Sequence, residues 1–144
     1  MRAAPVSYWW KELMDRVFLT GMNYWIYDDE EYGSFRNDPI RWDYLKRLIS
    51  LRLQWFTEFG RGRFEDELPL ASVSGGKAKA FSLSNNNMLI TFVPDKSEKI
   101  CKIVLKDQGF KSVILYNPSK VPLESKKGSV TFKTDEPVYL VFTK

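Results

Sequence analysis

Histidine is absent from the 144-residue chain, and cysteine occurs once, at Cys101. Without histidine the chain by itself cannot form a Ser-His-Asp triad, a Cys-His dyad or a histidine metal site. A single cysteine excludes an intrachain disulfide and a cysteine zinc cluster. We therefore expect no metal site and no cofactor. Cys101 lies in an alternating strand flanked by lysines, and we interpret it as a buried and unreactive thiol.

Long apolar runs are also absent. No stretch reaches the roughly 20 consecutive apolar residues that span a bilayer, so no membrane partner is expected. The first residues, Met1–Pro5, lack the apolar segment of a signal peptide, which predicts a cytoplasmic location if the chain is complete. Hydrophobic residues nevertheless make up 44% and charged residues 28% of the chain, which is typical of a folded globular protein.

Charge is unevenly divided along the sequence. Residues 1–70 contain 10 basic and 12 acidic residues, a net charge of −2, whereas residues 71–144 contain 12 and 6, a net charge of +6. All eight arginines and all five tryptophans lie in the first part, and every basic residue of the second part is a lysine. This change in composition predicts two units, residues 1–67 and residues 68–144.

The first unit has the pattern of a helix, a strand and a second helix. Apolar residues recur at helical spacing over Ser7–Gly21, with the serine as predicted N-cap and the glycine as predicted stop. The short aromatic run Met22–Tyr27 is typical of a strand that is buried on both faces. A longer helix is predicted over Asp38–Phe59, with the aspartate as N-cap and a proline at the first helical position.

The second unit has the pattern of strands alone. Apolar and polar residues alternate in short runs, and turn residues separate those runs. The predicted strands are Ala71–Val73, Ala78–Ser84, Met88–Val93, Ile100–Leu105, Ser112–Tyr116, Ser129–Lys133 and Val138–Thr143. The sequence therefore predicts an α+β fold in which an N-terminal helix–strand–helix segment precedes an antiparallel β-sandwich.

This order of elements resembles the C-terminal end of a (β/α)8-barrel glycoside hydrolase with an appended β-sandwich. In the first unit the resemblance lies in Tyr24–Asp28, Asn37–Trp42 and Leu51–Phe59. In the second unit the matching segments, which resemble the sandwich of the collagen-binding type found after such barrels, are Ala80–Phe81, Asn87–Phe92, Ile114–Pro118 and Pro137–Phe142. Because a barrel needs about 250 residues, the resemblance covers only its last βα unit.

The resemblance also implies a candidate sugar-binding site. It places Trp25 and Tyr27 near the carboxyl end of the eighth barrel strand, which faces the active site, with Asp28 beside them. The alternative, favoured for the isolated chain, is that both aromatic rings pack in a core. The acidic run Asp28–Glu31 is interpreted as a solvated turn, with catalysis or calcium binding as alternatives. Catalytic carboxylates of such barrels come from earlier strands, so we expect no catalytic residue in this chain.

Two functions from different classes remain open. The resemblance implies a non-catalytic C-terminal part of a carbohydrate-active enzyme, which supports the structure and contacts a glycan. The alternative is a free-standing binding or assembly module in which the helices cover one face of the sandwich and either the lysine-rich sandwich or the aromatic strand is the interaction surface. In both cases strand 22–27 needs a cover, from the second half of the chain, from self-association or from a missing upstream barrel segment.

Nucleic acid is a disfavoured partner. Three arginines of the long helix, Arg41, Arg47 and Arg52, alternate with apolar residues and are interpreted as side chains that pack their stems and expose their charges. The sequence shows no aromatic platform for single-stranded nucleic acid. The net charge of +6 in residues 71–144 leaves binding of an acidic polymer as a further alternative.

Overall fold

The computed structural model of the protein describes residues 4–22, 38–95 and 100–144, with side chains from Trp10 onward. In these ranges, two helices precede the strands of two antiparallel sheets. The helices are α1 (Ala4–Thr20) and α2 (Pro39–Phe59). The strands are β1 (Arg63–Asp66), β2 (Leu70–Ser74), β3 (Gly76–Ser82), β4 (Met88–Pro94), β5 (Cys101–Leu105), β6 (Ser112–Tyr116), β7 (Lys120–Leu123), β8 (Ser125–Lys126), β9 (Ser129–Phe132) and β10 (Val138–Thr143). The predicted α+β fold with a β-sandwich is confirmed, whereas the predicted strand at 22–27 lies, apart from Met22, outside the described residues.

The first helix begins earlier than its sequence pattern suggests. α1 starts at Ala4, so Ser7 lies inside the helix and the prediction that it is the N-cap is wrong. Pro5 stands in the first turn, where its fixed φ and missing N–H are tolerated, so the helix can begin before the serine. The predicted stop is confirmed, because Gly21 has a φ of 70° and ends the helix.

The second helix has the ends that the sequence predicts. The Asp38 carboxylate accepts a hydrogen bond from the backbone N–H of Arg41 at 3.1 Å, and Pro39 occupies the first turn. Gly60 follows the last turn with a φ of 69°. The residues that α2 buries most completely are Leu45, Leu48, Leu51, Arg52 and Trp55.

The strands form two stacked sheets with antiparallel neighbours throughout. The larger sheet has the order β1-β3-β4-β10-β6-β7, and the smaller has the order β2-β5-β9-β8. Three strands were not predicted, namely β1, β7 and β8, and each lies at a sheet edge. Edge strands are short and exposed, and they tolerate residues such as Pro122 of β7, so they lack the alternating pattern that marks a strand in sequence.

The larger sheet is the middle of three layers. On one face, Ile90, Phe92 and Leu140 pack against the smaller sheet, with Phe92 edge-on to Phe132 at 5.0 Å between ring centroids. On the other face the sheet packs against both helices, and Trp55 of α2 is fully buried there. Strand β10 lies near the centre of this sheet and buries nearly every residue, as expected for a strand covered on both sides.

Candidate functional site

The residues predicted to bind sugar, Trp25, Tyr27 and Asp28, lie outside the described residues, as does the acidic run Asp28–Glu31. Their role stays a prediction. The structure does describe the two helices that flank this segment in the chain, and it describes how those helices contact each other and the sandwich. The site is therefore built from α1, α2 and their exposed surfaces.

Arg52 fastens the end of α1 to α2. Its guanidinium donates hydrogen bonds to the carbonyls of Met22 at 2.6 Å, Phe18 at 2.7 Å and Val17 at 3.1 Å, and its centre lies 4.9 Å from the centroid of the Trp55 ring. Carbonyls in the last turn of a helix lack partners within the helix, and a cation there is favourable. The prediction that Arg52 exposes its charge is wrong, because the residue is only 5% exposed.

A polar cluster around Asp15 forms a second contact between α1 and α2. Asp15 is 9% exposed; its carboxylate accepts a hydrogen bond from the Tyr44 hydroxyl and lies 3.0 Å from the Lys11 ammonium. Trp10 packs edge-on against the Tyr44 ring, with 5.7 Å between centroids. Each polar atom of the Asp15 carboxylate thus has a partner, which fixes α1 against α2.

The contacts show that α1 and α2 lie side by side and run in the same direction. Near their starts Trp10 contacts Tyr44, and near their ends Phe18 contacts Arg52. Neighbouring helices with the same direction are the rule in βα repeats, where each helix is followed by a strand that returns the chain to the starting end. The described contacts therefore match the relative orientation of two consecutive helices in such a repeat.

Both helices expose apolar side chains among charged ones such as Arg16 and Lys46. Leu13, Trp42 and Leu53 are 48%, 37% and 60% exposed, and Val17 and Ile49 are half-buried beside them. Helical spacing puts Leu13 and Val17 on one flank of α1, and it puts Trp42, Ile49 and Leu53 on one flank of α2. Each of these flanks turns away from the sheet and toward the neighbouring helix. We call these five residues the outer helical face. Exposed apolar groups that cluster in this way mark interaction surfaces.

The opposite flank of α2 is polar, and it holds the helix on the sandwich. The Arg47 guanidinium donates to the carbonyls of Asn117 at 2.8 Å and Pro137 at 3.0 Å, and the Gln54 amide donates to the carbonyl of Pro118 at 3.0 Å. These bonds fix α2 to the loop that follows β6 and to the start of β10. These hydrogen bonds hold this flank of α2 on the sandwich.

Two tyrosines stack beneath α2. The rings of Tyr116 and Tyr139 are parallel within 6° and their centroids are 4.6 Å apart. The Tyr116 hydroxyl lies 3.5 Å from the Glu58 carboxylate, whereas the buried Tyr139 hydroxyl has no hydrogen-bond partner among the described residues. Burial, assisted by the nearby negative charge of Glu58, raises the pKa of both phenols. Both rings therefore remain neutral and serve as packing groups.

Searches for known sites and relatives add no further assignment. Within the described ranges, no group of three or more histidine, cysteine, aspartate or glutamate side chains is placed to hold a metal ion. Neither helix in this part of the chain has the length and apolar character needed to cross a membrane. A scan against protein-family models and searches of curated proteins and of solved structures found no match to the chain.

Proposed function

We propose that the chain is a non-catalytic C-terminal part of a carbohydrate-active, glycoside hydrolase-like enzyme, and that its outer helical face packs against a (β/α)8 barrel. The observation that carries the proposal is the pair of helices α1 and α2. They run in the same direction, the sandwich covers them on one side, and the outer helical face exposes apolar side chains on the other.

The barrel is the occupant that best suits this surface. Helices of a barrel turn one side toward the strands and the other side outward, and the outward side can be covered by an appended domain. In this chain the sandwich covers the side formed by residues such as Leu48 and Trp55. Burial of Leu13 and Leu53 against barrel strands would contribute on the order of 1 kcal/mol each.

The described carboxylates support a non-catalytic role. Glycosidases use two carboxyl groups that face each other across the scissile bond. Asp15 is the buried carboxylate of the described residues, and its oxygens are engaged by Lys11 and Tyr44. Glu12 and Asp95 line the same surface pocket, but neither makes a described contact with the Asp15 carboxylate. Structural support of a barrel, with glycan contact through Trp25, Tyr27 and Asp28, is therefore the role we assign.

The alternative of a free-standing module is favoured by a different observation. The helices cover the outer face of the larger sheet, so the described part of the sandwich has no bare apolar face of its own. In that case the outer helical face would remain exposed to solvent, and the chain would be monomeric.

Association of the purified chain distinguishes these possibilities. Because a barrel is absent from the preparation, we expect the exposed outer helical face to drive concentration-dependent self-association, measured by light scattering. The double substitution Leu13→Gln/Leu53→Gln should weaken association about tenfold. The matched control Leu68→Gln/Ile100→Gln, at positions 70% and 59% exposed and outside the helices, should leave it unchanged. A strictly monomeric wild-type chain would favour the free-standing module.

Glycosidase assays test the catalytic part of the proposal. The chain alone should not hydrolyse a panel of aryl glycosides. Hydrolysis that disappears in Asp28→Asn or Glu30→Gln would overturn the non-catalytic assignment. The polypeptide encoded immediately upstream should contain βα repeats with glycosidase carboxylates and should bind the wild-type chain more tightly than the Leu13→Gln/Leu53→Gln variant. An upstream polypeptide without such repeats would argue against the barrel.

A further inference from the structure

The outer face of the smaller sheet lies on the opposite side of the sandwich from the helices, and it is polar. In the register of β5, β9 and β8, Lys102 stands opposite Thr131, and Lys126 stands opposite Ser129. The residues between them in β5 and β9, such as Ile103, point inward and are fully buried. The outward positions of these strands therefore carry ammonium and hydroxyl groups, together with the half-buried Val104.

These side chains line a shallow open groove of about 730 Å³. Three lysines line it, and hydroxyl groups lie among them; the principal members are Lys102, Lys111, Lys126, Ser125, Ser129 and Thr131. Its lining contains one carboxylate, that of Glu124, and neither an arginine nor an aromatic ring. We call this surface the lysine groove.

Among the described residues, no carboxylate forms an ion pair with the lysines of the groove. Other lysines of the second half pair with acids: Lys79 with Asp66 at 2.7 Å and Lys144 with Asp107 at 2.6 Å. For Lys102, Lys111 and Lys126 the described residues provide no carboxylate oxygen within 4.0 Å of the ammonium nitrogen. Cations without a close carboxylate partner, beside the exposed Thr131 hydroxyl, favour an anionic ligand that carries hydrogen-bonding groups.

We infer that the lysine groove binds an anionic polysaccharide, a glycan with carboxylate or sulfate groups. From ordinary strand spacing and rise, the Cα atoms of Lys102 and Lys126 lie about 12 Å apart across β9. That separation suits a polymer with repeated anionic groups better than one small anion. The hydroxyls of Ser129 and Thr131 lie between the lysines, where they can bond to sugar hydroxyls.

Nucleic acid is the weaker occupant of the same groove. Proteins bind single-stranded nucleic acids with aromatic rings that stack on the bases, and they often recognise bases through arginine. The lining of this groove contains neither an aromatic ring nor an arginine. Lysine, as a point charge, suits carboxylate and sulfate groups without a planar requirement.

The inference goes beyond the proposed function and does not rest on it. The lysine groove and the outer helical face lie on opposite sides of the molecule, so both can be occupied together. Glycan binding should therefore persist in the Leu13→Gln/Leu53→Gln variant. Failure of one assignment leaves the other standing.

Fluorescence anisotropy with labelled polygalacturonate, and with heparin as a sulfated probe, tests the inference. The full chain should bind both and should bind more weakly as salt is raised, because the contacts are ionic. The variant Lys102→Gln/Lys126→Gln should bind about tenfold more weakly. The matched control Lys77→Gln/Lys106→Gln removes the same charge at exposed lysines outside the groove and should change binding less than about twofold.

Several outcomes would overturn the inference. Equal weakening in both variants would show that net charge, rather than the groove, attracts the polymer. A single-stranded oligonucleotide that binds more tightly than either glycan would assign the groove to nucleic acid. If the chain bound neither probe at low salt, the inference that the groove is a binding site would be wrong. Circular dichroism checks that each variant retains the strand signal of the wild-type chain, and Lys111→Gln supplies an independent groove variant.

Discussion

At the scale of single residues, the interface between α2 and the larger sheet contains polar atoms without partners. Among the described residues, the Tyr139 hydroxyl and the Trp55 indole N–H make no hydrogen bond, although both side chains are fully buried. Burial of a polar group without a partner costs stability, because the group loses its bond to water. The aromatic rings still pack well: Trp55 lies 4.7 Å from Phe81 and 6.3 Å from Tyr139 between centroids. Packing therefore outweighs polar satisfaction at this interface.

The substitution Tyr139→Phe should leave the free energy of unfolding unchanged or raise it by about 1 kcal/mol, since it removes an unpaired hydroxyl and keeps the ring. The matched control is Tyr44→Phe, which takes a hydrogen bond away from the buried Asp15 carboxylate. This control should lower the free energy of unfolding by about 2 kcal/mol. Urea denaturation followed by tryptophan fluorescence measures both. A loss of stability in Tyr139→Phe as large as in Tyr44→Phe would show that the Tyr139 hydroxyl has a partner in solution.

The raised pKa of Tyr139 predicts that the stability of the fold decreases at alkaline pH. Because burial raises the pKa of Tyr139 and Tyr116 above the usual 10.0, the folded chain keeps protons that the unfolded chain releases. Their contribution to stability is complete below pH 10.0 and decreases as the pH rises above it. Tyr139→Phe should therefore lose less stability than the wild type between neutral and strongly alkaline pH, measured by urea denaturation at each pH. Parallel losses in the two proteins would contradict a raised pKa at Tyr139.

At the scale of elements, the attachment of α1 depends on groups from α2 and β4. The buried Thr91 hydroxyl of β4 donates to the carbonyl of Leu19 at 2.9 Å, and Arg52 of α2 binds the neighbouring carbonyls at the helix end. These bonds satisfy acceptors that a helix leaves free in its last turn. The position where the chain leaves α1 toward Trp25 and Tyr27 is therefore set by side chains distant in sequence.

Substitution Arg52→Met should lower the free energy of unfolding by about 3 kcal/mol, because it leaves buried carbonyls without donors. Arg52→Lys should restore little of this loss, since one ammonium lacks the planar set of donors that reaches several carbonyls. The control Arg61→Met changes an exposed arginine and should stay within about 0.5 kcal/mol of the wild type. Hydrogen exchange of the amides in α1 should increase in Arg52→Met. Unchanged exchange there would show that Arg52 does not hold the helix.

At the scale of the whole molecule, two hydrophobic clusters share the larger sheet. One cluster fills the space between the sheets, and the other lies between the larger sheet and the helices. Strand β1 (Arg63–Asp66) precedes the predicted boundary at residue 67 but pairs with β3 inside the sandwich. The helices and the sandwich therefore depend on each other for burial of the sheet.

Residues 68–144 expressed alone should expose the face of the larger sheet that α1 and α2 cover. That face includes Phe81, Leu89, Tyr139 and Val141, and such a patch favours aggregation. We expect this fragment to self-associate and to bind a hydrophobic dye more strongly than the full chain, whereas residues 38–144, which keep α2 and β1, should do so less. A monomeric fragment 68–144 with cooperative unfolding would instead establish the sandwich as an independent domain.

Local signals in the sequence determined the ends of α2 and most of the strands. Asp38 and Gly60 act through contacts with their own neighbours in the chain. The alternation in β9 reflects burial on one face, and the apolar run of β10 reflects burial on both faces. Such features depend on nearby residues alone, so the sequence predicts them. The edge strands gave no such signal, because exposure removes the alternation that burial imposes.

Only the tertiary structure decided which surfaces remain available. The sequence pattern of α2 does not distinguish among Leu45, Leu48 and Trp42 as core residues. A sheet, however, covers only part of the circumference of a helix, and this leaves Trp42 partly exposed. The lysine groove likewise depends on the pairing of β5 with β9 and of β9 with β8, which places Lys102 and Lys126 on either side of β9. Both surfaces arise from contacts between residues far apart in the chain, and a one-dimensional pattern does not contain those contacts.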